Sequence, residues 1–340
     1  MPKYHCFEIL ILSIKYSEIL KFMTDMKNYF VVAYYYLVNI EKAQEEIIAQ
    51  KLFFKDKDIL GRVYISEKGV NGQISCHKDY YDILIKYLSE KYPKIIFKID
   101  PSSDHTFCKM TVKYRNQLVA LDIDVDLEET GEHVSPEKWK QMLEDKDENT
   151  VLIDVRNDYE WEVGHFENAE LPKCSTFREF PEYTKKLKER LDPKKTKMMI
   201  YCTGGIRCEF YAPLLKAEGF DNIYQLEGGI INYGHQVGAQ HWKGKVFVFD
   251  DRLTVPISND QDKDISLCEF CEKSSSTYYN CANMDCNKLF LSCNDCASSN
   301  KGCCSKDCKD NGRVREFDPT TSPKPFRKLS FQEKNKFFAI

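Results

Sequence analysis

Two stretches of this 340-residue chain carry residue types at spacings that can do chemistry. The first runs Cys202-Thr203-Gly204-Gly205-Ile206-Arg207. An apolar, β-prone run ends at Cys202, the four residues Thr203 to Ile206 read as a loop, and Arg207 opens a stretch that reads as a helix. A thiol at a strand end beside a helix N-terminus sits in a ring of backbone N–H groups, at the positive end of the helix dipole, and both favour the thiolate. The two glycines let the backbone close around one sulfur without side-chain clashes, and Arg207 adds a fixed charge or braces the loop from within. Cys202 is the expected nucleophile, with Arg207 as its catalytic partner and Thr203, Gly204, Gly205 and Ile206 as the active-site loop. Cys208 could resolve a sulfur intermediate into a disulfide, but the helix would separate its side chain from Cys202, so packing is its expected role.

The second stretch holds nine of the chain's 15 cysteines, between Cys268 and Cys308. Cys268-x2-Cys271, Cys281-x4-Cys286 and Cys293-x2-Cys296 are followed by Cys303, Cys304 and Cys308. Spacings of two to four let one turn present two sulfurs to one ion, and the metal replaces a core that so short a segment lacks. About two structural zinc ions are expected, on Cys268, Cys271, Cys281, Cys286, Cys293, Cys296, Cys303 and Cys308, with one of Cys303 and Cys304 left over. The first couple is expected to pair with the third and the second with the fourth. An iron–sulfur cluster or disulfides are the competing readings.

These sites need elements to position them. From Tyr29 the pattern runs strand, helix, strand, a turn at Gly69 to Gly72, strand, helix and two further strands, which is the β-α-β-β-α-β order of a ferredoxin-like (acylphosphatase-like) α+β domain over residues 29–122. Residues 123–135 are acidic, poor in large apolar side chains, and read as a linker. Strands then alternate with helices over 136–243, the signature of an α/β domain with a parallel sheet, whose ligands bind at the carboxyl ends of strands, where Cys202 lies. Residues 244–308 form the small Cys-rich zinc module and 309–340 a basic tail. The chain is thus a multidomain α/β protein. Residues 1–28 are an N-terminal extension given no functional weight.

Composition excludes several classes. Lys and Arg number 49 against 53 Asp and Glu, a net charge of −4, so any nucleic-acid site must be a local patch. The tail is one candidate, because eight Lys or Arg against four Asp or Glu, with five phenylalanines between, can hold RNA by phosphate neutralisation and stacking; a solvated tail is the alternative. The longest apolar run, Tyr29 to Val38, is about half the length of a membrane span. The apolar centre near the N-terminus is broken by Glu8 and followed by no small-residue cleavage site, so a cytoplasmic protein with reduced thiols is expected.

Other residues receive structural expectations. Asp154, Arg156 and Glu160 suit an ion pair tying a strand to the Cys202 loop, and His165 a hydrogen-bonded turn. Arg178 fits either an anionic substrate or a solvated face. Gly228-Gly229 reads as a strand-to-helix turn. The His-x-carboxylate pair His77 and Asp79 has iron-ligand spacing but no third ligand, so Asp79 is expected to cap a helix.

The segments LIDVRNDYEWEVGHFENA, TFREFP, MIYCTGGIRCE and YQLEGGI resemble the rhodanese domain. With GRVYISEKGVNGQIS upstream and FVFDDRLTV downstream, the chain resembles the rhodanese-containing tRNA uridine hydroxylase family, TrhO. The resemblance covers about residues 29 to 257. It implies oxygen-dependent conversion of tRNA uridine 34 to 5-hydroxyuridine, with O2 as co-substrate, the anticodon arm as partner, and Cys202 as the active cysteine through a persulfide. No flavin or nicotinamide fingerprint is visible. The four residues between Cys202 and Arg207 match sulfurtransferases rather than the related phosphatases, whose five leave a wider ring. A sulfurtransferase moving sulfane sulfur through Cys202 is the rival expectation, and an RNA-binding adaptor a third.

Overall fold

The computed structural model describes residues 27–258, 263–310 and 313–317. The N-terminal extension up to residue 26 and the tail from 318 onward lie outside the described residues. The chain divides into two compact units, Met1–Leu118 and Val119–Ile340.

In the first unit β1 (Tyr29–Leu37), α1 (Ala43–Phe54), β2 (Ile59–Ser66), β3 (Gly69–His77), α2 (Lys78–Lys91), β4 (Lys98–Ser102) and β5 (Met110–Tyr114) follow in order. The sheet order β4-β1-β3-β2-β5 contains the ferredoxin-like 4-1-3-2 arrangement, with β5 added parallel to β2 at the edge. Alternation decides which side meets the helices. Val32, Tyr34, Val63, Ile65, Val70 and Ile74 bury against Ile47, Phe54, Leu84 and Leu88, while the intervening residues point to the opposite face. The expected turn at Gly69 to Gly72 is instead the start of β3, in register with Leu37 to Tyr34 of β1. Gly72 is required for space, since a Cβ there would lie 2.2 Å from the Tyr34 ring. His77, rather than Asp79, caps α2, accepting the Asp79 N–H at Nδ1 over 3.4 Å.

In the second unit a fully parallel sheet, β6-β10-β9-β7, is built from β6 (Glu132–Val134), β7 (Thr150–Asp154), β9 (Lys197–Tyr201) and β10 (Asn222–Leu226). Around it lie α3 (Pro136–Glu144), α4 (Asp158–Trp161), α5 (Phe180–Arg190), α6 (Ile206–Ala217) and α7 (Gly229–Gln236). Ser135 caps α3 through the Lys138 N–H, with Pro136 in the first turn, where its missing N–H costs nothing. The end of the expected acidic linker is thus the edge strand β6, fixed by three parallel pairs with β10. Trp242, Val246, Val248 and Ile257 bury in the same core as Leu152, Met199 and Leu226.

Beyond that core, β11 (Tyr278–Asn280) and β12 (Leu289–Leu291) form a hairpin, followed by α8 (Asn294–Ser299) and α9 (Lys306–Asp310). Tyr278 and Leu291 pack with Val163 and Phe247, joining the hairpin to the sheet domain. Among the described residues no helix is long and apolar enough to cross a membrane.

Candidate active site

Strand β9 ends at Tyr201, and Cys202 follows with its side chain fully buried. The loop then turns so that the Gly205 N–H donates to Cys202 Sγ at 3.1 Å. Gly205 holds φ at +99°, a conformation that side-chain-bearing residues rarely adopt. The loop carbonyls face away from the sulfur, where Ile230 N–H donates to Cys202 O at 3.0 Å and Ile231 N–H to Thr203 O at 3.1 Å. The first turn of α7 therefore clamps the back of the loop and leaves its amides for the thiol. Gly229 makes that approach possible: a Cβ there would lie 2.5 Å from Cys202 O and 2.7 Å from both Gly205 N and Thr203 O. Its role is more than the turn expected from the glycine pair.

Arg207 does not project into the ring. Its guanidinium is gripped by Glu160 of α4, with Nη1 to Oε2 at 2.5 Å and Nη2 to Oε1 at 2.7 Å, and also reaches Thr203 Oγ1 at 3.3 Å. Phe249 lies with its ring centre 5.8 Å from the guanidinium carbon. Arg207 thus braces the loop and supplies charge beside the sulfur at once. Asp154 and Arg156 do form the expected buried pair, at 2.6 Å, but Arg156 spends its remaining donors on the carbonyls of Glu160 and Gly164. Of these three residues, Glu160 makes the side-chain tie to the loop.

Burial by itself would raise the Cys202 thiol. A hydrogen bond from the Cys208 thiol, the Arg207 charge and backbone N–H groups of Cys208 and Arg207 overcome it and bring the group down to about 5. Cys208 is buried too, and burial together with the neighbouring thiolate pushes its own thiol well above the usual range, so it stays protonated and donates. Cys208 lies buried in the first turn of α6, close enough to help lower the Cys202 thiol, so the helix does not isolate the two thiols as the sequence suggests. The close repeat of cysteine across the Gly-Gly loop was the available signal.

The remaining candidates make local contacts. His165, on β8 (Gly164–Phe166), hydrogen-bonds the Phe166 carbonyl at 3.0 Å through Nδ1, on a strand rather than in a turn. Arg178 is exposed and ion-paired with Asp122. His77 is at α2, with Asp79 Oδ2 3.2 Å from its Nδ1.

The cysteine module brings its thiols together in two sets. Cys268, Cys271, Cys293 and Cys296 form one, and Cys281, Cys286, Cys304 and Cys308 the other, each with all sulfurs within 4.8 Å. First couple with third and second with fourth is the pairing seen. Cys304, not Cys303, completes the second set. Cys303 turns into the small core with Tyr279, Phe290 and Ala297, its Sγ 3.8 Å from the Lys301 carbonyl, so of two adjacent residues one faces the ion site and one the core. Four thiols converging within one ion's reach fit a tetrahedral, thiolate-binding metal at each set. At Cys268, backbone N–H groups of Cys293, Phe270 and Cys271 outweigh burial and lower the thiol to about 6. The near end of the basic tail closes this module. Arg315 donates to the Cys281 carbonyl at 2.8 Å, Arg313 pairs with Asp285 at 2.8 Å, and Phe317 packs on Tyr279. Tyr278 reaches across to α4, donating to Tyr159 O at 2.8 Å and to Glu162 Oε2 at 2.9 Å.

Comparison with known proteins agrees with this layout. Residues 29–118 match the family described as UPF0176 acylphosphatase like domain, residues 135–236 the Rhodanese-like domain, and residues 243–309 the Rhodanase C-terminal family. The chain is 51% identical over 308 residues to the tRNA uridine(34) hydroxylase of Protochlamydia amoebophila (strain UWE25), covering 90% of this chain and 96% of that protein. It is 48% identical over 315 residues to the protein of that name from Chlamydia abortus (strain DSM 27085 / S26/3), covering 91% of this chain and 96% of that one. With the protein of that name from Chlamydia pneumoniae the identity is 47% over 312 residues, 90% of this chain and 95% of that one.

Proposed function

The chain belongs to the tRNA uridine(34) hydroxylase family, and on that footing we propose that it hydroxylates uridine 34 in the anticodon of tRNA to 5-hydroxyuridine, with O2 as co-substrate. One observation carries the chemistry. The Cys202 sulfur accepts the Gly205 N–H at 3.1 Å in the loop, beside an arginine braced by Glu160, and this setting brings its thiol down to about 5. Cys202 is the reacting group. Arg207 is a positioning residue that also lowers the thiol through its charge, and Thr203, Gly204, Gly205 and Ile206 form the wall of the ring. Gly204 is open on its side-chain side, with nothing within 4 Å of an added Cβ, which suits the approach of a flat base.

The metal in each four-cysteine set is zinc in this reading, two structural ions holding a segment with a small core of its own. Cys304 takes the place expected of Cys303. The RNA partner is the anticodon arm, and the protein acts in the cytoplasm.

The test is incubation of purified protein with unmodified tRNA, under air and under nitrogen, with wild type and Cys202→Ala, reading modified uridines by nucleoside mass spectrometry. A hydroxylated uridine at position 34 that requires air and vanishes in Cys202→Ala is expected. Its absence under every condition, with thiosulfate-dependent persulfide on Cys202, would replace this reading with the sulfurtransferase one.

A further inference from the structure

The face of the first unit's sheet turned away from its two helices carries an unusual set of side chains. Strand register places them in rows across the strands. Tyr35 of β1 pairs with Asn71 of β3, Asn71 with Tyr64 of β2, and Tyr64 with Lys113 of β5. In the next row Ala33 pairs with Gln73, Gln73 with Arg62, and Arg62 with Thr111. Strands about 4.8 Å apart put Tyr35 and Tyr64 roughly 10 Å apart on either side of an amide.

Three cations of this face lie against aromatic rings. The Arg115 guanidinium is 4.8 Å from the centre of Tyr64, Lys98 Nζ 4.7 Å from that of Tyr35, and the Arg62 guanidinium 5.5 Å from that of Phe107. Lys113 and Arg115 are exposed, Arg62, Tyr64, Asn71 and Gln73 are half-buried, and Lys98 is buried. Acids are sparse. Asp58 is engaged by His105 at 2.8 Å, and Asp100 lies on the edge strand β4. The β4–β5 connection covers one end of the face, where His105 bonds Ser75 at 2.8 Å and the Thr106 N–H reaches the same hydroxyl at 3.3 Å. The Tyr64 end lies beyond that cover.

Aromatic rings on a sheet stack bases, amides such as Asn71 and Gln73 bond base edges, and Arg or Lys at the rim neutralise phosphates. We infer that the Arg62, Tyr64, Asn71, Gln73, Lys113 and Arg115 face binds unpaired RNA nucleotides of the substrate, an inference that rests on tRNA being the substrate. The ring of Tyr64 supplies the stacking platform, sandwiched between a base and Arg115. Lys113 and Arg115 track the backbone.

The test uses the full chain. Binding of a fluorescent single-stranded oligouridylate, of a duplex RNA and of unmodified tRNA is measured for wild type, Tyr64→Ala, Tyr64→Phe and Lys113→Ala, with near-UV dichroism to verify folding. Tyr64→Ala should weaken the oligouridylate and tRNA by about fivefold to a hundredfold, and Tyr64→Phe should restore most of it. Lys113→Ala should reduce the salt slope of oligouridylate binding by about 0.7. In the hydroxylation assay Tyr64→Ala should raise KM with kcat little changed. If wild type hydroxylates tRNA while folded Tyr64→Ala and Lys113→Ala bind and turn over as wild type does, the inference is overturned and the proposed function stands. Binding of the duplex as tightly as the oligouridylate also overturns it. If wild type hydroxylates nothing, the proposed function fails, and the oligouridylate arm still decides whether the face binds unpaired RNA.

Discussion

The Glu160 carboxylate closes on the Arg207 guanidinium through two contacts, 2.5 and 2.7 Å long, with both side chains out of water. Such a fork fixes orientation as well as charge, because two parallel bonds allow neither group to rotate. The loop that carries Cys202 is thereby anchored to a helix 47 residues earlier in the chain.

Glu160→Gln keeps the shape and removes the charge, leaving Arg207 buried without its counter-ion. Breaking one side of a buried pair costs about 3–5 kcal/mol. The urea midpoint should fall accordingly with the slope unchanged. Arg207→Lys should lose most of the same stability, since an ammonium cannot reproduce the fork. A midpoint equal to wild type in Glu160→Gln would show that the pair does not hold the loop.

With its thiol lowered to about 5, Cys202 is a thiolate throughout the neutral range. Mass-spectrometric mapping of alkylation by a small iodoacetamide should give a Cys202 rate that rises through an inflection near pH 5 and is flat above it. Cys208→Ala removes a donor to the thiolate, so the inflection should move to higher pH. The linkage has a definite sign. The native thiol lies below its unfolded value near 9, so its contribution to stability is full above pH 9 and is lost as pH falls through about 5. An inflection in wild type near 9 would contradict the site.

Gly229 and Gly204 make opposite predictions although both border the thiol loop. Gly229→Ala forces a Cβ to within 2.5 Å of a loop carbonyl at a φ of +70°, so the clamp must open. Stability should drop by about 1–3 kcal/mol, through strain and overpacking, with loss of hydroxylation. Gly204→Ala meets nothing within 4 Å and should melt within a few degrees of wild type. Equal melting of the two variants would refute the clamp.

Metal content separates the adjacent cysteines of the module. Purified protein should contain about two zinc ions per chain by plasma mass spectrometry. Cys304→Ser should retain about one and Cys303→Ser about two. Chelation should also loosen α4, because Tyr278 of the hairpin bonds Tyr159 and Glu162 on either side of Glu160. Amide exchange of residues 158–162 should quicken on metal removal.

Much of this architecture is legible in residue order. The apolar, aromatic- and valine-rich run of β1 and the change to helical periodicity at α1 predict the first unit, and the run from Met198 through Cys202 to Arg207 predicts the thiol loop, because these signals are local. What depends on distant contacts is not legible. Nothing near Arg207 says that Glu160 rather than Asp154 takes its charge. Nothing near Gly229 says that the Cys202 loop lies against it. Glu132 to Val134 is too short and polar to announce a strand, and becomes one only because β10 offers an unpaired edge. Cys303 and Cys304 have near-identical spacing to Cys308, and only the backbone turn at Gly302, with φ at +69°, decides which sulfur faces inward.

The interleaving of the two cysteine sets has a consequence for biosynthesis. Cys268 and Cys271 wait for Cys293 and Cys296, and Cys281 and Cys286, lying between, wait for Cys304 and Cys308. Neither set can close as a simple consecutive knuckle while the chain emerges from the ribosome. The thiol loop is translated well before either set is complete, so the segment that bears Cys202 is synthesised while both four-cysteine sets still lack ligands.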